Sequence, residues 1–359
     1  MKSTPLAKAA LILILVFALF AGLYFAKPFL VPFALAAILS MLFLPISRKL
    51  EKRGVHKALA SLCCILLLLT VFAGIIGLVS WQVTTLMEDK AKLERQVKKG
   101  ITSLQKTIDK KLGVAPKEQE EIITKQTESS GGIGGTILLS FTSIIVDSIL
   151  MLVYIFFLML TRSHIKQAIL RMVPEQRKQK TEQVITDSTN IAQKYLSGLG
   201  AMIFCLWVMY GIGFSIVGVK NAVFFAVLCG LLEIIPFLGN LLGTTITILM
   251  AVAQGGDVTM VLGIVIVYAL VQFLQGNVLE PLIVGAEVNI NALSTIIVLV
   301  IGDLLWGIPG VIMAIPLLGI TKVICDNVEG LKPIGFLIGQ EKKARKPNKL
   351  IEKVTGWFK

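Results

Sequence analysis

The chain has 359 residues, of which 55% are hydrophobic and 16% charged, with a mean hydropathy of +0.82 and a formal net charge of +13. Soluble domains carry about a quarter charged residues and seldom string about 18 apolar residues together. That composition excludes a soluble enzyme or soluble binding module. The positive charge does not indicate nucleic-acid binding either, because the basic residues gather in a few short segments with no aromatic or glycine-rich pattern among them.

Long apolar runs recur at 9–26, 29–46, 59–81, 135–160, 199–219, 222–253, 258–273 and 292–321. About 20 apolar residues cross a bilayer as a helix, so the pattern predicts an all-α polytopic membrane protein with about eight crossings. Lys2 and Lys8 ahead of AALILILVFALF have the charge pattern of a secretory signal, but the run is long and a second follows at once. An uncleaved first helix is therefore expected. The boundaries predict three N-terminal spans in 1–81, an extramembrane amphipathic segment in 82–134 and a fourth span in 135–161. A cytoplasmic helical arm follows in 162–197, then a C-terminal transport core with broken helices in 198–323 and a basic cytoplasmic tail in 324–359.

Basic residues set the orientation. Arg48, Lys49, Lys52, Arg53 and Lys57 crowd one loop, Arg162 to Lys180 another, and Lys342 to Lys349 the tail. Placing all three in the cytoplasm satisfies the positive-inside rule, with both termini inside. The loop 275–290, which has Glu280 and Glu287 but no Lys or Arg, then falls outside. Pro28, Pro32 and Pro45 are expected near the ends of the early spans, where a lost backbone hydrogen bond does least harm.

Beyond the third span, Leu93, Val97, Ile101, Leu104, Ile108 and Leu112 recur at helical spacing between charged residues. The amphipathic helix this predicts needs its apolar stripe covered, by self-association in a homo-oligomer, by the protomer or by the membrane surface. In the arm, Val184, Ser188, Ile191 and Tyr195 mark a thin face suited to bracing the later spans. The five cysteines lie in or beside apolar helices without C-x-x-C or clustered histidines, so no metal and no cofactor is expected.

Polar and helix-breaking residues enter the membrane segments only after Gly198. In LLEIIPFLGN, Glu233 is an acid at membrane depth, Pro236 removes a backbone donor, and Gly239 and Asn240 loosen the helix. The apolar halves on either side are short for a span, so either one broken helix or a re-entrant hairpin with its tip at PFLGN fits. Both put polar groups and freed helix ends inside the bilayer, as secondary transporters do at their binding sites. A second cluster holds Gln272, Gln275, Asn277, Glu280 and Pro281, followed by Glu287, Asn289 and Asn291. Gln272 and Gln275 share a helical face, and paired amides suit a polar uncharged solute. Glu287 and Asn289 read better as the turn at the aqueous boundary. The third feature, GDLLWGIPGVIMAIP, contains Asp303 with Gly302, Gly307, Gly310, Pro309 and Pro316, which permit close helix contact or a second re-entrant turn. Asp147, in the fourth span, suits a structural pairing.

No enzyme signature is present: there is no G-x-S-x-G, H-E-x-x-H or P-loop. Any active transport must then run on an ion gradient or a partner.

EIIPFLGN, GNVLEPLIVG, GDLLWGIPGVIMAIPL and the approach YLSGLGAM resemble the signature blocks of the autoinducer-2 exporter family of bacterial permeases. The resemblance is densest over about residues 170–325. It implies a multi-span permease of the bacterial inner membrane that exports a small signalling molecule such as autoinducer-2; some relatives are described as sodium or lithium/proton antiporters. The motif positions carried over are Glu233, Pro236, Gly239, Asn277, Pro281, Gly285, Gly307, Gly310 and Pro316. Where the family often has a His or similar polar residue before Pro, this chain has Asn291–Ala292, which removes a titratable imidazole from that spot. The leading expectation is a gradient-driven exporter with Glu233, Asp303 and Glu280 as coupling acids and Gln272, Gln275, Asn277 and Asn291 as solute contacts. A monovalent-cation/proton antiporter and a non-transporting membrane scaffold are the alternatives.

Overall fold

The computed structural model describes residues 5–87, 133–235, 238–284 and 290–340. The stripe from Leu93 to Leu112, together with Pro236, Gly285, Glu287 and Asn289, lies outside them. Eleven α-helices are described: α1 (Pro5–Phe25), α2 (Lys27–Lys52), α3 (Lys57–Met87), α4 (Ile133–Arg171), α5 (Glu175–Val217), α6 (Ala222–Leu232), α7 (Leu238–Ala253), α8 (Val258–Leu274), α9 (Ala292–Trp306), α10 (Ile308–Asn327) and α11 (Lys332–Ile338). Helix α8 continues as a π-helix, Gln275–Val284. The described residues contain no strand, only an isolated antiparallel bridge between Ile290 and Gly339. Among the described residues, six helices are long and apolar enough to cross a membrane, with shorter apolar helices beside them. The molecule is an all-α polytopic membrane protein.

Its buried side chains form two cores. One joins Ala36 and Phe43 of α2, Cys64, Ile65 and Leu68 of α3, and Ile155 and Met159 of α4. The other joins Leu206, Tyr210 and Phe214 of α5 to Phe225 and Cys229 of α6 and Ile264 and Val271 of α8. Much apolar surface stays outside both cores, as on α1, where Leu13 and Phe17 are more than two-thirds exposed. Such faces suit hydrocarbon rather than water.

Pro32 and Pro45 do not sit at span ends as expected, but inside α2. The helix extends past the apolar run on both sides, so positions near the run's ends become helix interior. At 43 residues α5 is about 65 Å long, more than twice a hydrocarbon core of about 30 Å. Its first part, with Ser188 and Ala192 buried, packs on α2, where the Gln193 amide donates to the Met41 carbonyl at 2.9 Å. Its second part crosses the apolar layer.

Helix α8 and the π-helix run antiparallel to α5 in a constant register. A Cβ at Gly263 would lie 2.8 Å from the Val217 side chain, and one at Gly198 would lie 3.0 Å from the Ile283 carbonyl oxygen; Gly213 faces Val267 between them. Absent side chains let the two backbones approach. The level of each segment follows from this pairing. Helices α6 and α7, which connect α5 to α8, leave and return at the same end of α5. They fold as a hairpin, with Gly239 against the Leu232 carbonyl and Gly243 against Cys229. Helices α9 and α10 form a second hairpin, in which Gly302 and Gly310 bring their backbones together around a turn at Gly307.

The two hairpins correct the topology read from apolar runs. The run 292–321 is not one helix, and the described ends of 275–290, Ile283 and Ile290, lie on the side of the arm and tail rather than opposite it. The π-helix ends level with Gly198, at the arm, and Ile290 pairs with Gly339 at the start of the tail. The reason is that 222–253 and 292–321 each fold back on themselves as a helix pair rather than running as one helix, so the chain on either side of each pair is found at the same end.

Candidate transport site

Four elements meet around Glu233. It caps the C-terminus of α6, where its N–H reaches the Cys229 carbonyl at 3.1 Å. Helix α6 is anchored to α5 by Trp207, whose indole donates to the Val227 carbonyl at 3.2 Å and whose ring lies against Gly230. The helix cannot continue, because the chain turns back through the tip into α7. Glu233 is thus left at a helix end at the depth of the α5 span.

Its side chain ends a directed chain of amides. Glu233 Oε1 accepts from Gln275 Nε2 at 2.7 Å, Gln275 Oε1 accepts from Gln272 Nε2 at 3.1 Å, and Gln272 Nε2 also reaches the Tyr210 hydroxyl at 3.4 Å. Both amide dipoles point their donors toward the carboxylate. Gln275 is only 4% exposed and Tyr210 1%, while Glu233 and Gln272 are half-buried, so the network lies at the edge of the core rather than in water. The other carboxylate oxygen, Glu233 Oε2, is buried with no hydrogen-bond partner. Buried acceptors nearly always find a partner, and a buried anion left half satisfied is costly. The arrangement therefore has one open valence. A water, a proton, a monovalent cation or a hydroxyl-bearing solute would each close it.

Glu280 stands on the π-helix within electrostatic reach of Glu233. Asn277, in the same segment, is exposed and its amide donates to the Phe273 carbonyl at 2.9 Å. In an α ladder that carbonyl would take the backbone N–H of residue 277 itself. Pro281 has no N–H to contribute to a regular ladder, which lowers the cost of the wider coil here.

The remaining sequence-derived candidates stand apart from this cluster. Gly239 and Asn240 lie in the first turn of α7, with Gly239 N–H donating to the Ile235 carbonyl at 3.0 Å across the tip. Asp303 is exposed on α9 and makes no side-chain hydrogen bond or ion pair among the described residues. Gly307 forms the turn of the second hairpin at φ +65°, Gly310 is buried against Gly302, and Pro316 is buried inside α10. Asn291 caps α9: its Oδ1 accepts from Ser294 N at 2.7 Å, while its Nδ2 donates to the Leu337 carbonyl at 2.5 Å. These bonds make it a clamp at the hairpin's base. Among the described residues there is no group of three His, Cys, Asp or Glu placed to hold a metal.

Two participants were not singled out in the sequence. Tyr210 sits in WVMYGIGF, and a tyrosine deep in an apolar run needs a partner for its hydroxyl, which was the available signal. Thr244 on α7 has a buried hydroxyl without a partner, and its neighbour Thr247 lies 3.7 Å from Cys229 Sγ across the hairpin. Threonine is common in membrane helices, and no spacing marks these.

The chain matches the AI-2E family transporter profile over residues 12–330. It is 22% identical to YhhT of Escherichia coli (strain K12) over 91% of this chain and 93% of the relative. It is 27% identical to YrrI of Bacillus subtilis (strain 168) over 44% of each chain. To PerM of Escherichia coli (strain K12) it is 27% identical over 52% of this chain and 53% of the relative. YhhT and YrrI carry names as transport proteins and PerM as a permease; the chain spans about half or less of YrrI and PerM. The length of the profile match decides the matter: this chain belongs to the AI-2E family of membrane transporters.

Proposed function

We propose that the protein is a secondary transporter that exports a small polar, uncharged solute such as autoinducer-2 across a bacterial inner membrane, driven by an ion gradient through Glu233. The observation that carries this reading is the open oxygen of Glu233 beside a satisfied one, buried at membrane depth. A scaffold gains nothing from such a group, whose insertion costs a few kcal/mol. Gln275 and Gln272 supply both donors and acceptors for a solute hydroxyl next to the carboxylate. The two hairpins act as re-entrant elements, one from each side. With the basic segments in the cytoplasm, the α6–α7 hairpin enters from outside and the α9–α10 hairpin from inside. Their tips are the parts free to move, because neither is tied into a continuous span.

The test uses proteoliposomes with an imposed pH gradient. Glu233→Gln keeps an acceptor for Gln275 and removes the titration. We expect solute flux to fall about a hundredfold, in the range seen when a group active in proton transfer is lost, with the protein folded. Wild-type flux from this variant would refute the coupling role. Sodium-dependent proton flux without any organic solute would replace export by cation/proton antiport at the same acid.

A further inference from the structure

A half-open cavity lies far from Glu233, where α2, α4 and α5 diverge. It measures about 290 Å³ and is lined by Arg48, Arg162 and Lys166 toward the arm and by Met41, Leu44 and Leu158 on its deeper wall. Helix α4 meets the arm of α5 only sparsely, which leaves the space between them. No part of the transport cluster reaches it.

Its charges are unevenly satisfied. Arg162 Nη2 holds Glu51 at 2.5 Å, and Glu51 is itself fixed by Ser47 at 2.8 Å. Arg162 Nη1, however, is buried and has no partner. Lys166 pairs with Glu182 at 2.5 Å. Arg48 has no hydrogen bond or ion pair among the described residues. Two of the three cations therefore hold a carboxylate and one does not, which leaves the space one positive charge in excess and one buried guanidinium donor open. A singly charged oxyanion would meet both needs, and arginine is suited to phosphate.

The walls distinguish a lipid from a dissolved anion. Along α2 the lining passes from Arg48 to Leu44, Met41 and Ala37, about 16 Å along the helix, and becomes apolar over that distance. A soluble anion has no use for such a wall, whereas a phospholipid carries the same gradient from head to chain. The volume is near the lower limit of ligand sites, about 300 Å³, enough for a headgroup while the chains run outward along the apolar faces. We propose that this cavity binds one anionic phospholipid of the phosphatidylglycerol class, its phosphate between Arg48 and Arg162 and its chains along Met41, Leu44 and Leu158. The lipid fills the junction between the α2–α4 core and the arm of α5, the helix on which the transport cluster is built.

The experiment is native mass spectrometry of the delipidated full chain titrated with phosphatidylglycerol, phosphatidylcholine and glycerol 3-phosphate. We expect one phosphatidylglycerol per chain, retained about tenfold better than phosphatidylcholine, and no displacement by equimolar glycerol 3-phosphate. Arg48→Gln, at an exposed position that folding does not need, should weaken phosphatidylglycerol about fivefold, the effect of one basic residue near a membrane surface. Met41→Trp, which fills the apolar wall, should weaken it too. Equal retention of both lipids would reduce the site to ordinary annular contact, and displacement by glycerol 3-phosphate would make it a soluble-anion site. Either variant binding phosphatidylglycerol like the wild type also overturns the proposal.

Discussion

The two hairpins share a plan and differ in where they place an acid. In each, two helices lie back to back, with a glycine against a backbone carbonyl: Gly239 on Leu232 in the first and Gly310 on Gly302 in the second. In the first, Glu233 turns into an amide network with one oxygen unpaired. In the second, Asp303 is exposed on α9 and its side chain makes no hydrogen bond or ion pair among the described residues. An acid's presence in an apolar run therefore says less than its surroundings. Only the first hairpin presents a carboxylate whose environment would respond to a bound ion or solute.

The shared part of the plan should give the largest effects. A Cβ at Gly239 or Gly310 would strike backbone rather than a flexible side chain, so neither clash can be relieved by a rotamer change. Gly239→Ala and Gly310→Ala should each cost more than about 4 kcal/mol, the range in which folded protein is lost. Gly200→Ala is the control: nothing lies within 4 Å of the added methyl, and alanine favours the helix by about 1 kcal/mol. Yield of monodisperse protein from detergent reads all three. A Gly239→Ala protein as stable as Gly200→Ala would mean that the first hairpin is not closed in this way.

The unshared part predicts a split in activity. Asp303→Asn should leave solute flux within about twofold of wild type, because no described group depends on its charge, whereas Gln275→Leu should lower flux at least tenfold by removing the donor to Glu233, a charged-group hydrogen bond of about 1.5–3 kcal/mol. Equal losses from the two variants would place coupling in both hairpins and erase the distinction drawn between them.

How much of this was legible in the sequence differs between chain regions for physical reasons. Helicity and membrane residence follow from run length and composition. The convergence of Glu233, Gln272 and Gln275 was partly visible, since each is a polar residue at membrane depth and the two amides share a face. Their bond to Glu233 was not, because it depends on α8 lying antiparallel to α5 in one register, which Gly198, Gly213 and Gly263 set by close approach. Glycine in a membrane helix carries no mark of which helix it faces. The direction of the chain after Pro236 was likewise hidden: a broken span and a hairpin have the same apolar pattern, and choosing wrongly inverts everything downstream. The expectation that 275–290 lies opposite the basic segments rests on counting each apolar run as one crossing, and a lack of Lys and Arg in a short loop is too weak a signal to test that count.

The smallest predicted effect concerns the base of the second hairpin. Asn291 joins two pieces of chain that are distant in sequence: its Oδ1 holds the first turn of α9, and its Nδ2 and backbone N–H hold the Leu337 and Ile338 carbonyls at the C-terminal end of α11. With the Ile290–Gly339 bridge, this makes the hairpin's start and the tail's start one unit. Loss of an N-cap costs about 1 kcal/mol and one further hydrogen bond about as much again. Asn291→Ala should therefore lower stability by about 2 kcal/mol, and Asn291→Asp, which keeps the cap but not the donor, by about half of that. Both effects should appear as faster hydrogen exchange in residues 332–340, with flux barely altered. A large loss of flux with unchanged exchange would instead return Asn291 to the solute path, and would mean that the second hairpin contributes to transport from its base rather than from its tip.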